Sequence, residues 1–167
     1  MNWNNFYAKR VNSSYQEYFE DRYYCFLQEV LRLSYGGEAI DAGCGIGSVS
    51  KYLSRYQVAT VGFDLCLDMV KLAQLNVPTR PFFQNDLLTF KSDRLVVTHG
   101  VLEHFEDDII HTILENNPNS IHYVPLEGYG EPSFGDERLL PKEYWLDTFK
   151  ASAHETFNNG LDLYFVA

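Results

Sequence analysis

From Glu38 onward this 167-residue chain alternates short apolar runs with helix-type periodicity, and that alternation restricts the folds open to it more than any other feature. Glu38 to Ala42 reads as a first strand, with a glycine turn behind it and a helix through about Arg55. Val58 to Phe63 reads as a second strand, followed by a helix over Leu67 to Leu75, and Pro81 to Gln84 as a short third strand. Leu95 to Thr98 gives a fourth strand and Leu102 to about Asn116 a helix; Ser120 to Val124 gives a fifth strand and Lys142 to Lys150 a further helix. Strands separated by helices pair in parallel through crossovers. The end of the chain changes pattern. Glu155 to Phe157 and Leu161 to Val166 flank Asn158-Asn159-Gly160, a hairpin signal because these residue types accept positive φ. The fold class expected is therefore α/β: a Rossmann-like, doubly wound, mostly parallel sheet closed by a C-terminal antiparallel hairpin.

Before the first strand, Tyr15, Phe19, Tyr23, Phe26, Leu27, Val30 and Leu31 fall at helical spacing on one face, and Gly36-Gly37 ends that helix. The stripe reads as core packing. We read residues 1–167 as one domain, with a helical cap over 1–35 and the sheet-bearing core over 38–167.

Charge narrows the partners. The net charge is −10, and no basic face of the kind needed to grip phosphates is visible, so nucleic acid is not expected as a partner. Glu106-Asp107-Asp108 reads as a solvated helix start. The chain has no apolar run of the roughly 18 residues that a membrane span needs. Met1 to Asn5 lacks the basic and apolar regions of a signal peptide. Cys25, Cys44 and Cys66 show neither metal-ligand spacing nor a pairing pattern, which suits reduced thiols and a cytoplasmic location.

The turn after the first strand is Asp41-Ala42-Gly43-Cys44-Gly45-Ile46-Gly47. Glycines there let the backbone take positive φ and let a ligand touch it directly. The second strand is followed by Asp64, where a ribose-binding carboxylate belongs in a nucleotide-binding sheet, and the third by Asn85-Asp86-Leu87. A dinucleotide fingerprint would place a glycine where Ser48 stands. Three aspartates would also surround a doubly anionic pyrophosphate. S-adenosylmethionine instead carries a net positive charge, and at 4 Å two unit charges interact by about 4 kcal/mol at an effective dielectric near 20. The sign favours the cationic ligand.

On these pieces, together with Gly62-Phe63-Asp64 and Thr98-His99-Gly100-Val101-Leu102-Glu103-His104, residues 38–104 resemble the class I S-adenosylmethionine-dependent methyltransferases. The likeness is to the compact small-molecule branch that contains the quinone-biosynthesis enzymes. The resemblance implies S-adenosylmethionine as cofactor. It implies that Gly43, Gly45 and Gly47 run along its methionine part, with Asp41 supporting the turn near the ammonium. It implies that Asp64 holds the ribose, that Asp86 takes the adenine amino group beside Asn85, and that the Leu87 N–H meets the ring. Leu65 and Met69 would line the adenosine, and His99 and Gly100 would sit beside the sulfonium. The branch further implies a small-molecule acceptor.

Methyl transfer displaces a group at an already activated carbon, so positioning carries much of it, and a base is needed only where the nucleophile must lose a proton. His104 and His99 are the catalytic candidates, with Glu103 beside them. The competing reading makes His104 a helix-start residue and Glu103 a carboxylate on a helix dipole. His111 reads as surface and His122 as a satisfied core residue, while His154 carries no signal. No metal site is expected. Substrate contacts are assigned to Tyr7, Tyr129 and Phe134, in an N-terminal stretch and a Pro125–Pro141 loop that would act as a lid. Two other functions stay open: a catalytically silent cofactor-binding partner subunit, and an enzyme that uses the same cofactor without transferring methyl.

Overall fold

The structure, a computed structural model, describes residues 7–132 and 135–167. Its helices are α1 (Ser13–Arg22), α2 (Tyr24–Leu33), α3 (Ser48–Ser54), α4 (Leu67–Asn76), α5 (Asp107–Asn116) and α6 (Lys142–Phe149). Its strands are β1 (Glu38–Ala42), β2 (Ala59–Asp64), β3 (Phe82–Gln84), β4 (Leu95–His99), β5 (Ser120–Pro125), β6 (Ala153–Phe157) and β7 (Asp162–Val166). They form one seven-stranded sheet in the order β3-β2-β1-β4-β5-β7-β6. The first five strands pair in parallel, while β7 runs antiparallel to both β5 and β6. The expected doubly wound sheet and its closing hairpin are both present. Asn158, Asn159 and Gly160 all take positive φ at the hairpin turn.

Alternation along the strands gives the sheet two cores. On one face Val97 and Ile121 pack with Phe26, Leu27 and Val30 of α2 and Leu53 of α3. On the other, Val96 and Phe165 pack with Ile110 and Ile113 of α5 and Trp145 of α6. The chain steps outward from β1 to β3 and then returns to place β4 on the other side of β1. The strand order therefore reverses between β1 and β4, and a crevice opens at their carboxyl ends.

Two helices depart from the sequence reading. The stripe expected as one helix breaks at Tyr23, whose φ of −106° and ψ of 24° leave the helical region. Tyr23 packs edge-on against His99 at 4.1 Å, and its neighbour Arg22 pairs with Asp162 at 3.0 Å. The second departure follows β4. Leu102–His104 makes one 3-10 turn, Glu106 is extended, and α5 begins only at Asp107. Arg138 pins this break, its guanidinium bonding the Phe105 carbonyl and lying 2.8 Å from Asp107. Asp107 and Asp108 occupy the first turn of α5, where its dipole favours negative charge.

Candidate active site

At the carboxyl ends of β1, β2 and β4 lies a cleft of about 450 Å³. Gly43, Gly45, Asp64, Leu65, Met69, Asn85, Asp86, Leu87, His99 and Gly100 all line it. Asp64 shapes its wall, one carboxylate oxygen accepting the Gly45 N–H at 2.9 Å and the other the Cys66 N–H at 2.8 Å. Burial raises its pKa, and those two bonds oppose the rise. Asp86 accepts from the Leu88 N–H at 3.0 Å, and the Asn85 side chain accepts from the Asp86 N–H at 2.9 Å. Both bonds fix the chain end of β3. Gly45 takes φ +52°, and a Cβ built there would meet nothing within 4 Å, so its backbone faces open space that a ligand can fill.

Gly47 and Asp41 do not line this cleft. The expectation for Gly47 is corrected: a Cβ on it would stand 3.0 Å from the Phe82 ring, so it is a packing glycine at the start of α3. Asp41 lies beneath the turn, 3% exposed, and faces a small adjoining recess. Its carboxylate accepts from the Ser50 N–H at 3.1 Å and the Ser50 hydroxyl at 2.7 Å, tying β1 to α3. Burial pushes its pKa up to about 7.

A second cavity, of about 500 Å³, meets the first at Tyr7, His99, Gly100 and His104. Tyrosines dominate its wall: Tyr15, Tyr18, Tyr23, Tyr123 and Tyr129 join Tyr7 there, with Arg10 and Arg22 as cations. Of the residues expected to contact substrate, Tyr129 and Tyr7 line this cavity, whereas Phe134 lies outside the described residues. The Tyr15 stripe has a second role. Phe19 is buried in the core, while Tyr15 and Tyr23 pack against that core and also line the cavity. A hub missed by sequence reasoning is Asp162, fully buried at the start of β7. It accepts from the Tyr123 hydroxyl at 2.9 Å and the Tyr129 hydroxyl at 2.7 Å, and it pairs with Arg22. Asn158 of the hairpin turn also donates to it, but a lone Asp after that turn does not signal the hub, since its other partners come from α1, β5 and the following loop.

His99 stands between the two spaces. Its ring stacks on Tyr123 at 4.3 Å and packs against Tyr23 and Phe19, and its Nε2 is buried without a hydrogen-bond partner. Loss of solvent pushes its pKa down to about 3. A group that binds protons so weakly is a poor base near neutral pH, so the catalytic expectation for His99 gives way to that of a neutral aromatic plane. His104 differs, its Nδ1 lying 2.9 Å from the Asp136 carboxylate at the junction of the cavities. Glu103 caps no helix. It is 2% exposed, lines the tyrosine cavity, and burial pushes its pKa up to about 8. His122 is a satisfied core residue, bridging Thr98 and Ser120 at 2.8 Å each.

The Pro125–Pro141 segment is anchored at several points. Leu126 pairs with Leu140, Tyr129 with Asp162, Asp136 with His104, and Arg138 with Asp107. Among the described residues, no helix is long and apolar enough to cross a membrane.

The sheet order and a crevice at the β1–β4 reversal define a doubly wound, Rossmann-like class of protein. Residues 15–117 match the model of the methyltransferase domain family, and the chain belongs to that family. A search of curated proteins finds no match. Solved structures share the fold. A protein of Pyrococcus horikoshii OT3 superposes with a TM-score of 0.74 at 18% identity, over 93% of this chain and 92% of its own. The magnesium protoporphyrin IX methyltransferase of Synechocystis PCC 6803, solved with S-adenosylhomocysteine (SAH), gives 0.65 at 18% identity, over 95% and 85%. A glycopeptide N-methyltransferase solved with S-adenosylmethionine gives 0.65 at 10% identity, over 85% of each chain. The acceptors named for the last two differ, magnesium protoporphyrin IX and a glycopeptide, and the quinone-biosynthesis branch is not singled out.

Proposed function

We propose that this protein transfers a methyl group from S-adenosylmethionine to a small-molecule acceptor. One observation carries the reading: a cleft lined by the strand-end polar residues adjoins, at His99 and Gly100, a separate aromatic cavity. The first space suits the cofactor and the second the acceptor.

The residues of the cleft fit the cofactor. The open face of Gly45 admits a ligand against the backbone. Asp64 spends two acceptor sites on backbone N–H groups, and a carboxylate has about four, leaving capacity for ribose hydroxyls. Asn85, Asp86 and Leu87 form the adenine end, with Leu65 and Met69 as its apolar lining. Asp41 acts from below, holding the glycine turn through Ser50. When bound, S-adenosylmethionine supplies an activated methyl carbon open to in-line displacement. The chain's own part is then to orient the acceptor between aromatic rings and exclude water. His104, steadied by Asp136, handles the acceptor's proton, while His99 presents a neutral face at the junction. We read residues 1–167 as one domain with a helical cap over 1–35. The three free thiols suit a reducing, cytoplasmic setting.

Calorimetry with S-adenosylmethionine and SAH tests the reading. Both are expected to bind, and Asp64→Ala is expected to weaken them by about 1.5–3 kcal/mol, as for a hydrogen bond to a charged group. Unchanged affinity in that variant, or binding of NAD in place of both ligands, overturns the assignment.

A further inference from the structure

We propose that Glu103, His104 and Glu137 form a divalent-cation site in the wall of the tyrosine-lined cavity. Their ligand atoms lie within 4.8 Å of one another. Donors held on one ion at about 2.0–2.2 Å in a tetrahedral set stand about 3.3–3.6 Å apart, so closing onto an ion needs the ligand atoms to approach by at most about 1.5 Å, a distance side-chain rotation covers.

The second observation is Glu103 itself. It is 2% exposed, and its Oε2 is buried without a hydrogen-bond partner. A buried carboxyl left so is costly unless something pairs with it. The charge facing it is that of Glu137, which is of like sign. Arg138 donates its backbone N–H to the Glu103 carbonyl at 2.8 Å, but its side chain turns away to Phe105, Asp107 and Tyr144. A cation between the two carboxylates satisfies Oε2 and removes the repulsion together.

His104 is arranged as a ligand. Metal-binding histidines hand one ring N–H to a carboxylate, which fixes the tautomer and turns the other nitrogen toward the ion. Asp136, 2.9 Å from Nδ1, is that carboxylate, and the ring's lone pair then belongs to Nε2. One imidazole with two carboxylates suits Mn²⁺, Fe²⁺ or Zn²⁺ better than the all-oxygen sets of Mg²⁺ and Ca²⁺. Three protein ligands are fewer than such an ion takes, so a group bound in the cavity can complete its shell. An acceptor hydroxyl bound there loses its proton more easily, which would make His104 a ligand and not a base. That consequence rests on the methyl-transfer reading; cation binding does not.

The test uses the full chain, freed of metal with a chelator and titrated with Mn²⁺ alone, the free ion being followed by electron paramagnetic resonance. One saturable site per chain is expected. Glu103→Gln and Glu137→Gln should each weaken it at least tenfold, and Asp136→Asn by about 10–100-fold. Asp68→Asn, at an exposed ion pair on α4, should leave it unchanged. Circular dichroism and melting establish that each variant folds, and should Glu103→Gln fail to, Glu137→Gln decides. No saturable site, or one that both folded glutamine variants retain at full strength, overturns the proposal. Failure of S-adenosylmethionine to bind would not, since the ion is titrated without it.

Discussion

His122 sits mid-strand with both ring nitrogens in hydrogen bonds, and burial pushes its pKa down to about 3. In the unfolded chain the same ring titrates near 6.5. Between those values the unfolded state binds a proton that the folded state refuses, so stability falls as pH drops below about 6.5. Going from pH 7 to pH 5, His122 is expected to cost about 2 kcal/mol, at about 1.36 kcal/mol per pH unit. Asp41 works in the opposite direction, because its folded value near 7 lies above that of an exposed carboxylate. The readout must therefore compare variants. Urea unfolding of His122→Gln should show a pH 7 to pH 5 loss smaller by about 2 kcal/mol than the parent protein's, whatever its stability at pH 7; equal losses would move the acid sensitivity elsewhere. The role of His122 was readable because a polar residue inside a buried strand must find partners close by, here Thr98 of β4 and Ser120 of its own strand. That of Glu103 was not. Its burial depends on Gly100 taking φ +67° and on the helix starting late, and neither is written in the residues beside it.

Two of the three glycines in the turn from β1 to α3 have opposite reasons for being there. At Gly47 a Cβ would press on Phe82, and its φ of +76° is already unfavourable for an L-residue. Gly47→Ala should cost about 1–2 kcal/mol in backbone strain and about 1–3 kcal/mol more in overpacking, yet leave cofactor affinity in the folded fraction nearly unchanged. Gly45→Ala meets no atom of the protein, so it should cost only the strain but lose affinity by placing a methyl in the cleft. Denaturant midpoints and calorimetry on the two variants separate the roles. If Gly47→Ala proved the weaker binder and the more stable protein, the assignment of the turn would be reversed. Elements were legible where local pattern decides them. Apolar runs gave the strands to within a residue or two, and Asn158-Asn159-Gly160 gave the hairpin. The helix breaks at Tyr23 and Glu106 were hidden because distant partners set them: His99 and Asp162 for the first, Arg138 for the second. For the same reason Tyr15 and Tyr23 read as core, since a helical stripe does not disclose which of its rings meets a cavity.

At the scale of the whole molecule, the cleft draws on β1, β2, β4 and the segment after β3, so a ligand there touches most of the parallel half of the sheet. Such a ligand binds the folded chain and not the unfolded one, and it must raise the melting temperature. At a free concentration of one hundred times its dissociation constant, S-adenosylmethionine or SAH should stabilise the fold by about 2.7 kcal/mol. In a chain of this size each kcal/mol moves the midpoint by about 2–4 °C, so the expected rise is roughly 5–11 °C. Asp64→Ala provides the discriminating case. If it weakens binding by about 1.5–3 kcal/mol, the same concentration stabilises that variant by only roughly 0.3–1.3 kcal/mol, and its midpoint should rise by only about 1–5 °C. NAD, whose pyrophosphate would face Asp64 and Asp86, should shift neither protein. Scanning calorimetry with and without ligand supplies all of these values. An equal rise in parent and variant would mean that the ligand is held somewhere other than the end of β2, and the division of labour between the two cavities would fall with it.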